Sequence, residues 1–314
     1  MMRSRTKPVL VMFAAVFALG MLIILFAAVD KQQLAEIVRA FRPLPLLAAF
    51  GLFLLSVFLR GVRFRYMMNG SDSTLTWWRI AALHQFFFTV VPFRLGELSF
   101  FPLASRLSQG DFSSSLPVLL NSRLYDFLVL ALFAAIAVMG LKIPEYGLLF
   151  LAMAAVIFVA AANTRFIFVV SRWIFEQLHI LLKLELLKIT GRRLHDAGAW
   201  YEENEKSKSA ILGITLMAWL AAVLGFYLVF RSFSIELGAY QVLFLFAGMT
   251  FIGIMGFFSV GSIGVSELGL AGLLMVLGFQ AQHALALGIL TRLTMLAMTL
   301  ATTALTEGVS WIRK

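Results

Sequence analysis

A long apolar run, residues 80–103, is interrupted at its centre by the hexapeptide PFRLGE at residues 92–97. Pro92 and Gly96 break a helix, while Arg94 and Glu97 place charge at membrane depth. Irregular backbone inside a bilayer is tolerated only where protein or a water-filled cavity covers it. An intramembrane charge costs at least about 2.5–3.5 kcal/mol on insertion scales, so we expect both charged residues to have a functional role.

A second interruption, GSIGVSE at residues 261–267, repeats this arrangement later in the chain. It contains Gly261 and Gly264, and it ends in Glu267. Flanking arginines keep matched distances from the two glutamates: Arg60 and Arg123 around Glu97, and Arg231 and Arg292 around Glu267. We interpret the chain as one unit used twice, as in transporters built from internal repeats.

The composition identifies an all-α polytopic membrane protein. Hydrophobic residues make up 61% of the chain and charged residues 13%, compared with about 25% charged residues in soluble domains. The net charge of +10 comes from basic residues in loops between apolar spans, so it does not indicate nucleic-acid binding. There is no cysteine, and the four histidines show no metal-ligand spacing, so we expect no metal and no cofactor.

The apolar segments predict about six transmembrane helices and two re-entrant pairs of half-helices. The predicted spans are residues 8–29, 44–59, 116–140, 147–162, 210–230 and 284–305. The predicted re-entrant pairs are residues 80–104 and 240–279. For residues 80–104, a single kinked crossing is the alternative.

We treat residues 1–314 as a single integral membrane domain with four parts. Residues 1–43 form an N-terminal helix followed by a polar loop at 31–42, and residues 44–140 form the first repeat. Residues 141–209 hold a connecting helix, an amphipathic segment at 165–188 and a basic stretch at 190–209, both expected on the cytoplasmic side. Residues 210–314 form the second repeat.

The distribution of basic residues predicts the orientation in the membrane. Most arginines and lysines fall in segments that are cytoplasmic if both termini are cytoplasmic, which obeys the positive-inside rule. In this orientation the second repeat is upside down relative to the first. Inverted repeats whose broken helices meet near mid-membrane are a transporter architecture.

The same motifs carry a family resemblance that covers nearly the whole chain. The segments are VPFRLGE, the RLYD of Arg123 to Asp126, SIGVSE and the late Arg292. In these segments the chain resembles the lysylphosphatidylglycerol synthase transmembrane family, the flippase-like domain of MprF-type proteins and their stand-alone relatives. The resemblance implies a bacterial cytoplasmic membrane and an anionic phospholipid or polyprenyl-linked lipid as partner. We expect no aminoacyltransferase domain, so it implies lipid translocation and not lipid aminoacylation.

The candidate substrate-binding residues are charged groups within apolar segments: Arg94, Glu97, Arg123, Asp126, Glu267 and Arg292. An arginine offers a planar fork of donors that suits phosphate oxygens, so Arg123 and Arg292 are candidates for holding a lipid headgroup. The alternative is a structural ion pair, between Arg123 and Asp126 or between either arginine and a glutamate. The glutamates could bind protons, or they could simply pair with arginines.

Several function classes follow from these residues. The leading hypothesis is a lipid flippase that works by alternating access. The alternatives are a proton-coupled transporter of a small anion and a non-catalytic scaffold of a cell-envelope synthesis complex. We expect no enzyme, because no nucleophile–base motif is present. A homo-oligomer is compatible with these residues, which do not determine the oligomeric state.

Overall fold

The computed structural model describes residues 30–108, 110–142, 144–164, 168–170, 172–174, 177, 180, 185–255 and 264–312. These residues form α-helices and a 3-10 helix at Pro92–Ser99. The α-helices are α1 Lys31–Arg39, α2 Pro43–Met67, α3 Thr74–Val90, α4 Phe100–Ser108, α5 Phe112–Gly140, α6 Pro144–Ala162, α7 Glu185–Glu203, α8 Lys208–Ser232, α9 Ala239–Met255, α10 Val265–Val276 and α11 Ala281–Ile312. The predicted all-α class is confirmed. The predicted span 8–29, Gly261 and half of the predicted amphipathic segment lie outside the described residues.

Four described helices are long and apolar enough to cross a membrane: α2, α5, α8 and α11. They cover four of the predicted spans. The predicted span 147–162 corresponds to α6, which is a shorter apolar helix. Many large apolar side chains of these helices are exposed, as expected for helices that face lipid. The chain is a multi-pass membrane protein.

The helix α2 is longer than the predicted span 44–59, because it continues through Arg60, Arg63 and Arg65 to Met67. Two of these arginines are tolerated inside the helix because neighbouring elements supply acceptors. Arg63 bonds to Asp126 of α5, and Arg65 bonds to the hydroxyl of Thr74 at 2.6 Å. The helix ends where Asn69 adopts a positive φ of 52°.

The segment predicted as a polar loop is helical instead, and the predicted basic stretch is largely helical as well. The predicted loop at residues 31–42 contains α1, which starts at an N-cap where Asp30 accepts a hydrogen bond from the Gln32 N–H at 2.8 Å. Ile37 is the buried residue of this helix. The basic stretch at 190–209 lies largely in α7. In α1, polar helix-forming residues on an amphipathic helix were interpreted as a loop.

The first interruption folds back onto the helix that precedes it. α3 ends at Val90, and the backbone forms a 3-10 helix from Pro92 before α4 begins. Gly96 lies so close to the end of α3 that a Cβ atom there would overlap the carbonyl oxygen of Phe87. A glycine is therefore required for this close approach.

The second interruption is shorter on its C-terminal side than the sequence suggested. Glu267, expected within the break, lies in the first turn of α10. Gly264 is the N-cap of this helix and adopts a φ of 82°, which favours glycine. The Glu267 carboxylate accepts a hydrogen bond from the Gly264 N–H at 2.7 Å, so the acid caps its own helix.

The helices of the two proposed units occur in the same order: long, short, short, long. α2 and α8, the first helix of each unit, pack along each other. The packing between units is reciprocal, since α5 of the first unit contacts α9 of the second and α11 of the second contacts α3 of the first. Arg79 of α3 and Glu307 of α11 reinforce the latter contact with two hydrogen bonds, at 2.5 and 2.6 Å.

Candidate functional site

A cavity of about 320 Å³ lies between the two units. Its wall is formed by residues of α2, α3, the 3-10 helix and α5 from the first unit, and by residues of α8, α9, α10 and α11 from the second. The short helix α4 does not contribute to the wall. Glu97 of the first interruption and Ser266 of the second therefore border the same internal space.

The cavity has an apolar end and a charged end. α2 and α8 are antiparallel, since Gly225 packs on the backbone of Ala49 while Ser56 donates a hydrogen bond to the Ala218 carbonyl at 2.8 Å. Near Ala49 the wall is apolar and includes Phe53, one helical turn from Ala49, and Phe226, the residue after Gly225. Arg60 lies about 16 Å further along α2, at a rise of about 1.5 Å per residue, and it marks the charged end.

Asp126 is the centre of the charged end. Its Oδ1 accepts from the Arg63 guanidinium at 2.7 Å and from the Trp219 indole N–H at 2.8 Å. Its Oδ2 accepts from Arg63 at 3.2 Å and from Arg123 at 3.0 Å. All four bonds come from N–H donors, which suits an ionised carboxylate, since that group can only accept. The residue thereby joins α2, α5 and α8.

Arg123 is surrounded by acceptors. Its Nε and Nη2 donate to Glu97 at 3.1 and 2.6 Å, and its Nη1 donates to Asp126. Nη2 also lies 3.1 Å from Nε2 of the buried His84, whose Nδ1 is 3.1 Å from the Ser99 hydroxyl. Because a guanidinium can only donate, His84 fits here as the neutral tautomer with its proton on Nδ1. The ion-pair alternative for Arg123 therefore describes its contacts in this structure.

Arg60 is the exception among the arginines at the charged end. Its guanidinium carbon lies 4.5 Å from the centroid of the Trp219 ring, a cation–π distance. Within the described part of the chain, it has no carboxylate or carbonyl as a hydrogen-bond acceptor. Trp219 is fixed in turn by its hydrogen bond to Asp126.

The pair in the second unit is arranged differently. Glu267 is 1% exposed, and its Oε2 accepts from the Gly264 N–H and from the Ser266 hydroxyl at 2.9 Å. Its Oε1 lies 3.7 Å from the Nε of Arg292, an ion-pair contact that is too long for a hydrogen bond. Arg292 also donates from Nη2 to the Thr89 carbonyl at 3.5 Å, across the contact between the units.

The structure brings most of the predicted site residues together. Glu97, Arg123, Asp126 and Arg292 border the cavity, and Glu267 lies behind Arg292. The position of the Arg94 side chain lies outside the described structure. Whether these residues bind a substrate stays a prediction.

Sequence reasoning missed Arg60, Arg63 and Trp219 as members of the site. The helical spacing of Arg60 and Arg63 was a usable signal, because residues three apart share a face of a helix. A buried aspartate such as Asp126 also requires cationic partners, and Arg123 alone does not fill its acceptor positions. Trp219 had no signal of its own within an apolar span. Among the residues that the structure describes, no group of histidines and acids has the geometry of a metal site.

Comparison with protein families identifies one match that spans nearly the whole chain. The model of the family described as "Lysylphosphatidylglycerol synthase TM region" matches residues 11–302. No curated protein and no solved structure matches the chain.

Proposed function

The chain belongs to the lysylphosphatidylglycerol synthase TM region family, and we propose that it moves a lipid with an anionic headgroup from one leaflet of a membrane to the other. The family and the membrane-spanning helices are consistent with a role that involves membrane lipid. The proposal assigns translocation to the chain and no catalytic step.

The amphiphilic cavity is the observation that carries the proposal. A lipid requires polar contacts for its headgroup and an apolar wall for its tails. Arg60 and Arg123 at the charged end, together with Arg292 in the wall, offer polar contacts for the headgroup, and the apolar end near Ala49 and Phe226 offers an apolar wall for the tails. A small inorganic anion needs no apolar wall of this length, which favours a lipid over the small-anion alternative.

We also propose that the two units are inverted repeats that work by alternating access. The repeated helix order and the reciprocal packing of α5 on α9 and of α11 on α3 support this proposal. In many transporters with inverted repeats, the site lies between the repeats and one repeat moves against the other. Both interruptions are re-entrant in this proposal, and both termini are cytoplasmic.

Arg292 is the strongest candidate among the predicted residues for a headgroup contact. It borders the cavity, and its contact with Glu267 is a long one. Arg123 contacts a headgroup in this proposal only after its bonds to Glu97 open. That opening requires the 3-10 helix to move against α5 within the first unit, because Glu97 lies on the 3-10 helix and Arg123 on α5.

The test is a translocation assay in liposomes that contain the purified chain and a fluorescent phosphatidylglycerol. Dithionite quenches the fluorophore in the outer leaflet, so the extent of quenching reports movement between leaflets. We expect quenching beyond one leaflet with wild type. We expect roughly ten- to a hundred-fold slower movement with Arg292→Ala, from the loss of a charged contact of about 1.5–3 kcal/mol, and an intermediate rate with Arg292→Lys. Arg39→Gln, on the exposed face of α1, is the control.

Three outcomes would contradict the proposal. Wild type that is folded but moves no lipid, and instead takes up a small anion with protons, would indicate the small-anion transporter. Lipid movement that is unchanged by Arg292→Ala would remove this residue from the site. A folded chain that moves neither lipid nor a small anion, and whose loss impairs envelope synthesis, would indicate the non-catalytic scaffold.

The proposed topology is tested by cysteine labelling, because the chain has no cysteine of its own. Single cysteines at Ser71 and Ser234 should react with a membrane-impermeant maleimide from opposite sides. We expect Ser71→Cys to react only from the cytoplasmic side and Ser234→Cys only from outside. The reverse pattern would overturn the orientation.

A further inference from the structure

The charged end of the cavity contains more positive than negative groups. Among the described side chains that border the cavity or pair with its lining, four arginines (Arg60, Arg63, Arg123 and Arg292) accompany three carboxylates (Glu97, Asp126 and Glu267). Each carboxylate accepts only from N–H or O–H donors and so fits its ionised form. One positive charge therefore has no carboxylate to balance it.

The contacts locate this surplus charge on Arg60. Arg63 and Arg123 donate to Asp126 and Glu97, and Arg292 lies against Glu267. Arg60 contacts the face of Trp219 instead, and within the described residues it has no acceptor. Among the described side chains, no nitrogen of Arg60 is both buried and without a hydrogen-bond partner. Arg60 borders the cavity, so its donors are open to that space.

The guanidinium of Arg60 lies over an aromatic ring that is itself held in place. Trp219 is 7% exposed and is held by its hydrogen bond to Asp126. A guanidinium stacked on an aromatic face keeps its N–H donors directed outwards in the ring plane. A planar fork of this kind matches two oxygens of one phosphate group. An unbalanced cation at membrane depth is costly unless a ligand neutralises it.

We infer that Arg60, stacked on Trp219, is the group that binds the phosphate of the transported lipid, and that this phosphate is a singly charged phosphodiester. The inference rests on the proposed function and deepens it. One surplus positive charge balances one negative charge, which a phosphodiester carries and a diphosphate exceeds. The apolar wall near Phe53 and Phe226 then lies along the tails.

The experiment measures binding to the purified full-length chain in detergent by titration calorimetry. The probe is dioctanoyl phosphatidylglycerol, and dioctanoylglycerol serves as the same amphiphile without phosphate. We expect Arg60→Gln to weaken binding of the phospholipid about ten- to a hundred-fold while leaving the weak binding of dioctanoylglycerol unchanged. The affinity of Arg60→Lys for the phospholipid should lie between those of wild type and Arg60→Gln, since lysine keeps the charge and loses the planar fork of donors. Arg39→Gln should bind like wild type.

Two further probes distinguish the source and the charge of the phosphate. Inorganic phosphate should bind far more weakly than the phospholipid, and farnesyl diphosphate should bind more weakly as well. If inorganic phosphate binds as tightly and depends on Arg60, the ligand is a free phosphate and the lipid assignment is wrong. If the diphosphate binds more tightly, the singly charged assignment is wrong.

Unchanged phospholipid affinity in a folded Arg60→Gln variant overturns the inference. If that variant does not fold, Arg60→Lys and Trp219→Phe replace it, and wild-type affinity in both overturns the inference equally. The liposome assay separates this result from the proposed function. Lipid movement with no dependence on Arg60 rejects only the phosphate contact, whereas binding that depends on Arg60 without lipid movement rejects only translocation.

Discussion

The two units place a glutamate and an arginine at nearly the same separation, yet the two pairs have different surroundings. In the first unit, Arg123 donates two hydrogen bonds to Glu97 and a further one to Asp126. In the second, Arg292 and Glu267 are 3.7 Å apart and share no hydrogen bond. Glu267 bonds to its own helix N-terminus instead.

The difference comes from residues that have no counterpart in the second unit. Asp126 lies three residues after Arg123, and the corresponding position after Arg292 is Met295. Arg63 lies three residues after Arg60, and the corresponding position after Arg231 is Ser234. These two additional charges link α2 to α5 in the first unit. Matched spacing in the sequence therefore reproduces the glutamate–arginine pair but not the network of hydrogen bonds around it. We therefore expect the first unit to be the more rigid one.

The largest effect should follow from removing the centre of the network. Asp126→Ala leaves Arg63 and Arg123 without a shared acceptor inside the protein. Breaking a buried pair in this way costs about 3–5 kcal/mol, so thermal unfolding in detergent should occur at a much lower temperature. Glu36→Gln, on the exposed face of α1, is the control. An Asp126→Ala variant as stable as wild type would show that the network does not hold the first unit together.

Replacing each arginine by lysine compares the two pairs directly. Lysine cannot reproduce donation by Arg123 from three nitrogens to Glu97 and Asp126, so Arg123→Lys should destabilise the protein by about 1.5–3 kcal/mol. Arg292→Lys should cost less, because lysine keeps the charge beside Glu267 and no hydrogen bond to that carboxylate is lost. The measurement is the unfolding temperature of both variants. Equal losses would mean that the two units are held equally tightly.

The close approach of Gly96 to the end of α3 gives a third comparison between the units. Gly96→Ala places a Cβ against the Phe87 carbonyl, and the resulting overpacking should cost about 1–3 kcal/mol. Gly272→Ala on α10 is the matched control, because nothing lies within 4 Å of a Cβ there. Unfolding temperatures again provide the measurement. If both alanines are neutral, the 3-10 helix does not depend on this close packing.

The smallest effect concerns how the fourth helix of each unit begins. Asp111 caps α5 by accepting a hydrogen bond from the Ser114 N–H at 2.8 Å, whereas the residue that precedes α11 is Gln280. Asp111→Ala should cost about 1 kcal/mol, and Asp111→Asn should cost less because it keeps the cap. The hydrogen bond from the Ser114 side chain lowers the pKa of Asp111 below its ordinary value of 3.8.

The direction of this pKa shift sets the pH dependence of the capping effect. The depressed pKa means that the charge of Asp111 stabilises the fold above pH 4 or so, and that this stabilisation is lost as pH falls through the folded pKa. The difference in unfolding temperature between wild type and Asp111→Asn should therefore be present at pH 7 and shrink below about pH 4. A difference that stays constant down to pH 3 would assign the effect to the cap geometry alone.

The sequence by itself determined the class of the protein and the elements that border the cavity. Apolar length, scarce charge and the interruptions around Pro92 and Gly264 are local properties, because a helix needs about 20 apolar residues to span a bilayer and proline or glycine breaks it. The family resemblance followed from the same motifs. Glu97, Arg123, Asp126 and Arg292 were therefore identifiable as charges that an apolar span does not otherwise contain.

Only the tertiary structure decided which charge pairs with which, because pairing depends on distances between helices that lie far apart in the chain. Arg63 and Asp126 are separated by 63 residues, and Trp219 and Asp126 by 93. Arginines after an apolar run read equally well as the start of a loop or as the continuation of a helix. Asp126 of α5 supplies the acceptor for Arg63 within α2, whereas Arg60 has no such acceptor among the described residues and borders the cavity.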